Sequence, residues 1–172
     1  MTKSLDLGCG REPKNPFNAT ETFGIDVRDD LSANIKRADL VLEPIPFEDE
    51  SFEYVTAHDL IEHIPRVIYM PQRRNPFVEL MNEVHRVLKV GGLFLSSTPA
   101  YPHAAAFIDP THVNIIAEGT FPYYFADKAA DSPWAVIYGF KGAFTVKLEE
   151  WRGPHLLTVL QKIPAREKVQ ST

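Results

Sequence analysis

A chain of 172 residues, 44% hydrophobic and 24% charged, has the composition of an ordinary globular protein and the length of one domain. Asp and Glu outnumber Lys and Arg by 23 to 18, a net charge of −5, and Arg73-Arg74 is the basic run that stands out, so tight binding to bulk nucleic acid has little electrostatic support. The single cysteine, Cys9, excludes an internal disulfide; with no apolar stretch of transmembrane length and no signal-peptide pattern, cytoplasmic residence without a membrane partner is the expectation.

Strand-like and helix-like segments alternate without an internal repeat, which predicts an α/β doubly wound sheet. Residues 4–7 form a first strand that runs into Gly8-Cys9-Gly10. The segment that follows, Arg11-Glu12-Pro13-Lys14-Asn15-Pro16, carries two prolines in four residues, so the first crossover helix is expected to be reduced or absent. A second strand, 22–26, ends in Asp26; a short helix over 31–37 and a third strand over 38–42 follow, and Glu43-Pro44-Ile45-Pro46 breaks regular structure. Residues 52–57, rich in aromatic and β-branched side chains, read as the fourth strand. A short helix over 59–64 ends at Pro65, with Glu62 expected to face solvent.

After a loop at 66–75 comes the strongest helix, with Asn75 as its cap and Pro76 in its first turn. Phe77, Leu80, Met81, Val84, Val87 and Leu88 make its apolar stripe, and Gly91-Gly92 is the expected stop. Residues 93–97 supply a fifth strand, 99–133 are irregular, and strands over 143–149 and 156–162 can pair as an antiparallel hairpin at the sheet edge. A single domain thus spans 1–163, with a polar tail at 164–172.

The first glycine turn carries the most chemistry. Gly8 and Gly10 let a ligand lie against the backbone, while Asp6 and Asp26 add negative charge beside it. Such a site suits a ligand rich in hydroxyl and ammonium groups that lacks phosphate. A dinucleotide would instead need a third glycine and a helix N-terminus for its pyrophosphate.

Leu5-Asp6-Leu7-Gly8-Cys9-Gly10 followed by Gly24-Ile25-Asp26-Val27 resembles the first two signature segments of the class I S-adenosylmethionine-dependent methyltransferases. The likeness continues in order. Residues 46–55 match a PF-x-D-x-SFD-x-V pattern, 58–64 an H-x-L-E-H-I segment, and 83–92 an E-x-x-RVLKPGG segment in which Val90 replaces the proline. The resemblance implies a Rossmann-like, mostly parallel sheet with an antiparallel C-terminal hairpin strand, and S-adenosylmethionine as cofactor. It assigns the ribose hydroxyls to Asp26, the methionine ammonium or the orientation of the turn to Asp6, and close backbone contact to Gly8, Cys9 and Gly10. Asp39 and Leu40 fall to the adenine, Ala57 and His58 to the methionine arm, and His63 to structural support.

An acceptor would be held by residues 99–112, whose Asp109-Pro110-Thr111-His112 run resembles a DP-x-H run in a glycan- and small-metabolite-modifying branch of the family. His103 or His112 is the candidate base, with Asp109 or Tyr101 orienting the acceptor. Asp109, His112 and His103 lack a metal-ligand spacing signature, so no metal site is assigned. Phe121, Tyr123, Tyr124 and Phe125 can wall the acceptor pocket, form a lid or pack in the core. The expected activity is methyl transfer to oxygen or nitrogen of a small-molecule or sugar-like acceptor, with a homo-oligomer as one way to close the site. A non-catalytic cofactor-binding module partnered to another subunit is the second reading, and an NAD-dependent oxidoreductase the third.

Overall fold

The computed structural model describes residues 1–28, 34–126 and 133–164, in which eight strands form one sheet. β1 (Lys3–Leu7), β2 (Glu21–Asp26), β3 (Ile35–Arg37), β4 (Phe52–His58) and β5 (Leu88–Tyr101) run parallel, and β6 (Ile116–Ala117) adds a short parallel pairing to β5. β7 (Phe144–Arg152) and β8 (His155–Lys162) form the antiparallel hairpin, giving the order β3-β2-β1-β4-β5-β8-β7. This is the Rossmann-like, mostly parallel sheet that the signature segments imply, and no helix occupies the β1–β2 crossover.

The two faces of the sheet differ in kind. Register sets Leu5, Val55, Phe94 and Leu160 side by side across β1, β4, β5 and β8, and all four are buried. They belong to one core with α1 (Pro76–Val87), whose Phe77, Leu80, Met81, Val84 and Val87 recur at helical spacing. Each side chain of that stripe stabilises the fold by roughly 1.5–3 kcal/mol through burial. The neighbouring register rows, on the opposite face, hold Ser4 beside Tyr54 and Asp6 beside Thr56. There the helix-free crossover takes the place of a helix, with Phe17 stacked on Tyr54 at 4.5 Å between ring centres.

Several local expectations are corrected. Residues 35–37, expected to end a helix, form β3 against β2; residues 31–33 of that stretch lie outside the described chain. The strand expected over 38–42 is a turn, because the Asp39 carboxylate accepts the Val41 amide at 2.9 Å and its carbonyl accepts those of Leu42 and Glu43. The helix expected over 59–64 is a single 3-10 turn, Ile61–His63, preceded by Asp59 at φ 52°. Asn75 does not cap α1 through its side chain, which donates to the Tyr138 carbonyl instead. The helix also stops before Gly91-Gly92: Leu88 turns extended and enters β5, and residues 89–92 bulge out between the pairs Phe52↔Leu88 and Tyr54↔Leu93. The irregular stretch contains a 3-10 turn (Ala104–Ala106), β6 and α2 (Thr120–Phe125), followed by α3 (Pro133–Ile137). The tail beyond residue 164 lies outside the described residues, among which no helix is long and apolar enough to cross a membrane.

His85, on α1, shows how the core depends on pH. Burial pushes its pKa below the ordinary 6.5, against the Ile163 carbonyl 3.1 Å from Nε2, and Phe144 packs at its ring at 5.3 Å. A depressed folded pKa means that the unfolded chain takes up the proton first, so this stabilisation is complete above about pH 6.5 and falls as pH drops below it. Urea unfolding at pH 7.5 and 5.5 should show a loss of stability that shrinks in His85→Gln; an equal loss in both proteins would refute the assignment.

Candidate cofactor and acceptor site

The carboxyl ends of β1, β2 and β4 meet because Leu7 pairs with Ile25 on one side and with Ala57 on the other. Beyond Leu7 the chain turns sharply, with Gly8 at φ 65° and Gly10 at φ 69°. The backbone angle demands glycine at Gly8, and a Cβ there would stand 2.9 Å from Leu60 Cδ1, so that side chain would also have to shift. The turn is pinned to β2 twice: the Cys9 amide donates to the Ile25 carbonyl at 3.1 Å, and the Gly10 amide donates to Asp26 Oδ2 at 2.9 Å.

Asp26 is therefore part of the turn as well as a charge beside it. Its Oδ1 accepts Arg28 Nε at 2.9 Å and the Arg28 amide at 3.2 Å. Partial burial works against the charge, but these Arg28 bonds and the Gly10 amide outweigh it and hold the carboxyl below the ordinary aspartate range. Asp6 is buried and accepts the Thr56 hydroxyl at 2.6 Å and the Lys14 amide at 2.8 Å. Of the two roles implied for it, orientation of the loop is the one its bonds perform. His58 Nδ1 lies 3.6 Å from Asp6 Oδ1, beyond hydrogen-bond reach, and is buried without a hydrogen-bond partner. Ala57 is fully buried between β1 and β5. Asp39 lies in the turn after β3, and Leu40 sends its side chain into the core, which leaves only its backbone to meet a ligand.

Cys9 sits among these acids. Burial, followed by the charges of Asp6 and Asp26, pushes its thiol up to about 11. The folded protein should therefore resist iodoacetamide at pH 8, with alkylation appearing on unfolding; rapid alkylation of the native chain would contradict this.

The residues read as acceptor-binding do not all converge. Asp109 Oδ1 accepts the Thr111 amide at 2.8 Å and hydroxyl at 2.6 Å, while Asp109 Oδ2 stands 3.9 Å from His112 Nε2. His103 packs on the Trp151 ring, and Tyr101 is exposed beside Phe107. A shallow depression of about 580 Å³ is lined by Pro99, Ala105, Ile108, Asp109, His112 and His155. Sequence reasoning misses His155, and only the register pair Pro99↔His155 brings it here. Its Nε2 bonds Asp59 Oδ1 at 2.8 Å, just past β4. The aromatic group does not act as one: Phe121 and Phe125 are buried in the core, and Phe125 also lines a separate 420 Å³ cavity with Tyr123, Tyr124, Phe77 and Tyr138.

Glu62 departs furthest from expectation. Instead of facing solvent it is 1% exposed, its Oε2 accepting the Thr98 hydroxyl at 2.6 Å. Burial pushes its carboxyl above the ordinary glutamate range despite that bond. Its carbonyl accepts the amides of Val113 and Asn114, both at 2.9 Å, which ties the turn after β4 to the loop after β5.

A Rossmann-like sheet with a glycine turn at β1, an acid closing β2 and an open depression beyond β4 and β5 defines a methyltransferase-type domain. The family model described as methyltransferase domain matches residues 5–96, more than half of the chain, and the chain belongs to that family. None of the curated proteins compared matches the sequence. Among solved structures, a chain of the complex between the Haloferax volcanii Trm112 methyltransferase activator and a methyltransferase superposes with TM-score 0.61 at 16% identity, covering 96% of this chain and 84% of that one. The PH0226 protein of Pyrococcus horikoshii OT3 gives 0.60 at 21% identity, over 93% and 81% of the two chains. A SAM-dependent methyltransferase of Archaeoglobus fulgidus gives 0.59 at 14%, over 94% and 86%.

Proposed function

We propose that the chain is an S-adenosylmethionine-dependent methyltransferase acting on oxygen or nitrogen of a small-molecule or sugar-like acceptor. The observation that carries this reading is the pinned turn, in which Gly10 and Asp26 are joined at 2.9 Å and no helix follows. A pyrophosphate needs the helix dipole, whereas S-adenosylmethionine has no phosphate and can lie on bare peptide groups. Bound there, it supplies an electrophilic sulfonium methyl group.

Asp26 then accepts the ribose hydroxyls, exchanging its Arg28 contacts for them. Gly8, Cys9 and Gly10 offer backbone, and Asp6 keeps the loop in place through the Lys14 amide. Asp39 and the Leu40 backbone meet the adenine. Ala57 and His58 meet the methionine arm, where the unpartnered Nδ1 of His58 gains a partner. Methyl transfer disperses charge, so these residues contribute mainly by alignment and exclusion of water. Of the two candidate histidines, His112 shares the depression with Asp109 and His103 does not, which supports placing His112 rather than His103 on the acceptor side.

Calorimetric titration with S-adenosylmethionine, followed by assay for S-adenosylhomocysteine on a panel of hydroxyl- and amine-bearing metabolites, tests the reading. Saturable binding with release of S-adenosylhomocysteine on some acceptor is expected. Absence of binding would sink the proposal, and binding without turnover on any acceptor would convert the domain to a cofactor-binding module.

A further inference from the structure

Three side chains from two elements converge next to the depression. Glu62 and His63 come from the turn after β4, and His112 from the loop after β5. Each offers a carboxylate or imidazole atom within 4.8 Å of the others, and the two imidazole rings meet edge to face at 4.9 Å.

Two of the three carry buried polar atoms without a hydrogen-bond partner: Glu62 Oε1, in a residue 1% exposed, and His112 Nδ1, in a side chain 10% exposed. Buried polar atoms are seldom left unpaired, and two in one cluster call for an explanation. Their surroundings supply part of it. Thr98 engages the other Glu62 oxygen, and Thr111 holds His63, whose Nδ1 lies 3.2 Å from the Thr111 carbonyl and 3.1 Å from its hydroxyl. A carbonyl partner makes Nδ1 the protonated nitrogen and leaves the Nε2 lone pair of His63 for another group. The Thr111 hydroxyl is fixed in turn by Asp109 at 2.6 Å. This is how metal-ligating histidines and carboxylates are oriented by a second layer of bonds.

We infer that Glu62, His63 and His112 form a binding site for a first-row divalent transition cation, such as Zn²⁺ or Mn²⁺. Two imidazoles and a carboxylate favour such an ion over Mg²⁺ or Ca²⁺, which take oxygen-rich shells. Ligand atoms around tetrahedral zinc are about 3.3 Å apart, so separations of up to 4.8 Å have to close by up to about 1.5 Å. Three protein ligands leave at least one position open. Because His112 also lines the depression, a cation held by it borders the acceptor space. Resting on the methyltransferase reading, the inference narrows the acceptor to one with a hydroxyl group, whose oxygen occupies the open position and gives its proton to water more readily once coordinated. His112 then serves as a ligand, and the cation replaces a side-chain base.

The full chain, stripped with EDTA and dialysed, should be titrated with Zn²⁺ and with Mn²⁺ by calorimetry, and with Co²⁺ by visible absorption. One equivalent is expected to bind, with Co²⁺ d–d bands in the parent and binding at least 100-fold weaker in His112→Asn and in Glu62→Gln. Added metal should raise the melting temperature of the parent and leave that of either variant unchanged. Lack of saturable binding, lack of Co²⁺ bands in the parent, or equal binding by folded variants would overturn the site; the Co²⁺ spectrum decides without any variant. S-adenosylmethionine titrated into the EDTA-treated parent separates the two readings. Cofactor binding without metal binding refutes only the cation site, and the converse refutes only the methyltransferase reading.

Discussion

Replacing Asp26 by alanine should weaken S-adenosylmethionine binding by roughly 30- to 1000-fold, the loss of about 2–4 kcal/mol expected when charge-assisted bonds to two ribose hydroxyls disappear. The structure complicates the simple form of this experiment. Asp26→Ala also removes the acceptor of the Gly10 amide and the partner of Arg28, so the turn itself loosens. Asp26→Asn separates the effects, because its carboxamide oxygen still accepts the Gly10 amide while the charge and the second acceptor oxygen are gone. We expect Asp26→Asn to retain most of the thermal stability lost in the alanine variant and to recover little of the affinity. Equal affinity in parent and both variants, measured by calorimetry, would remove Asp26 from the cofactor site.

The second large effect is expected at Arg86, in the last turn of α1. Its guanidinium donates to Glu83 Oε1 and Oε2 at 2.9 and 2.7 Å, to Asp49 Oδ1 at 2.8 Å, and to the carbonyls of Ile45 and Phe47, both at 2.8 Å. Glu83 completes the circuit by accepting the Ile45 amide at 3.0 Å. One side chain thus fastens the proline-broken segment between β3 and β4 to α1. The same segment delivers Phe47 to an aromatic cluster with Phe23 and Phe52. Arg86→Met keeps the aliphatic stem but strands two carbonyls and Glu83, at a cost of about 2–4 kcal/mol after allowing for partial exposure. For a chain of this size the melting temperature should fall by on the order of 10 °C. Arg86→Lys should recover little, since an ammonium cannot fork to four acceptors. A melting temperature within a degree of the parent's would show that the network adds nothing.

Much of the strand order is legible because glycine and proline punctuate it and because the hairpin of β7 and β8 announces itself around Gly153-Pro154. Sequence reasoning misplaces the third strand for a physical reason. Residues 38–42 are the more apolar run, yet the Asp39 side chain bonds the amide of Val41 and bends them into a turn, while the strand is Ile35-Lys36-Arg37, an edge strand with two exposed cations and no apolar alternation to betray it. At the site, the glycine turn and the acid that ends the second apolar run are legible in the residues, while the role of Asp26 comes from the resemblance of its segment to the family's. Glu62 is not legible in this way, since an acid in a short polar segment looks solvated until Thr98 of β5 is brought over it. His155 is hidden likewise, because only pairing between distant strands sets it opposite Pro99. Long-range register, rather than local pattern, decides which polar residues meet.

The helix-free link between β1 and β2 bears on how far this domain can drift in sequence. A helix repeats one hydrogen-bond pattern along its length, so exchanging a surface residue leaves the ladder whole. Here particular side chains do that job: Asp26 receives Gly10, Asp6 receives Lys14, and Asn15 both receives the Ala19 amide and donates to its carbonyl. No general propensity can stand in for them. Selection on the shape of this link therefore falls on two aspartates, and a lineage that lost every other use for Asp6 and Asp26 would still be held to them by its scaffold.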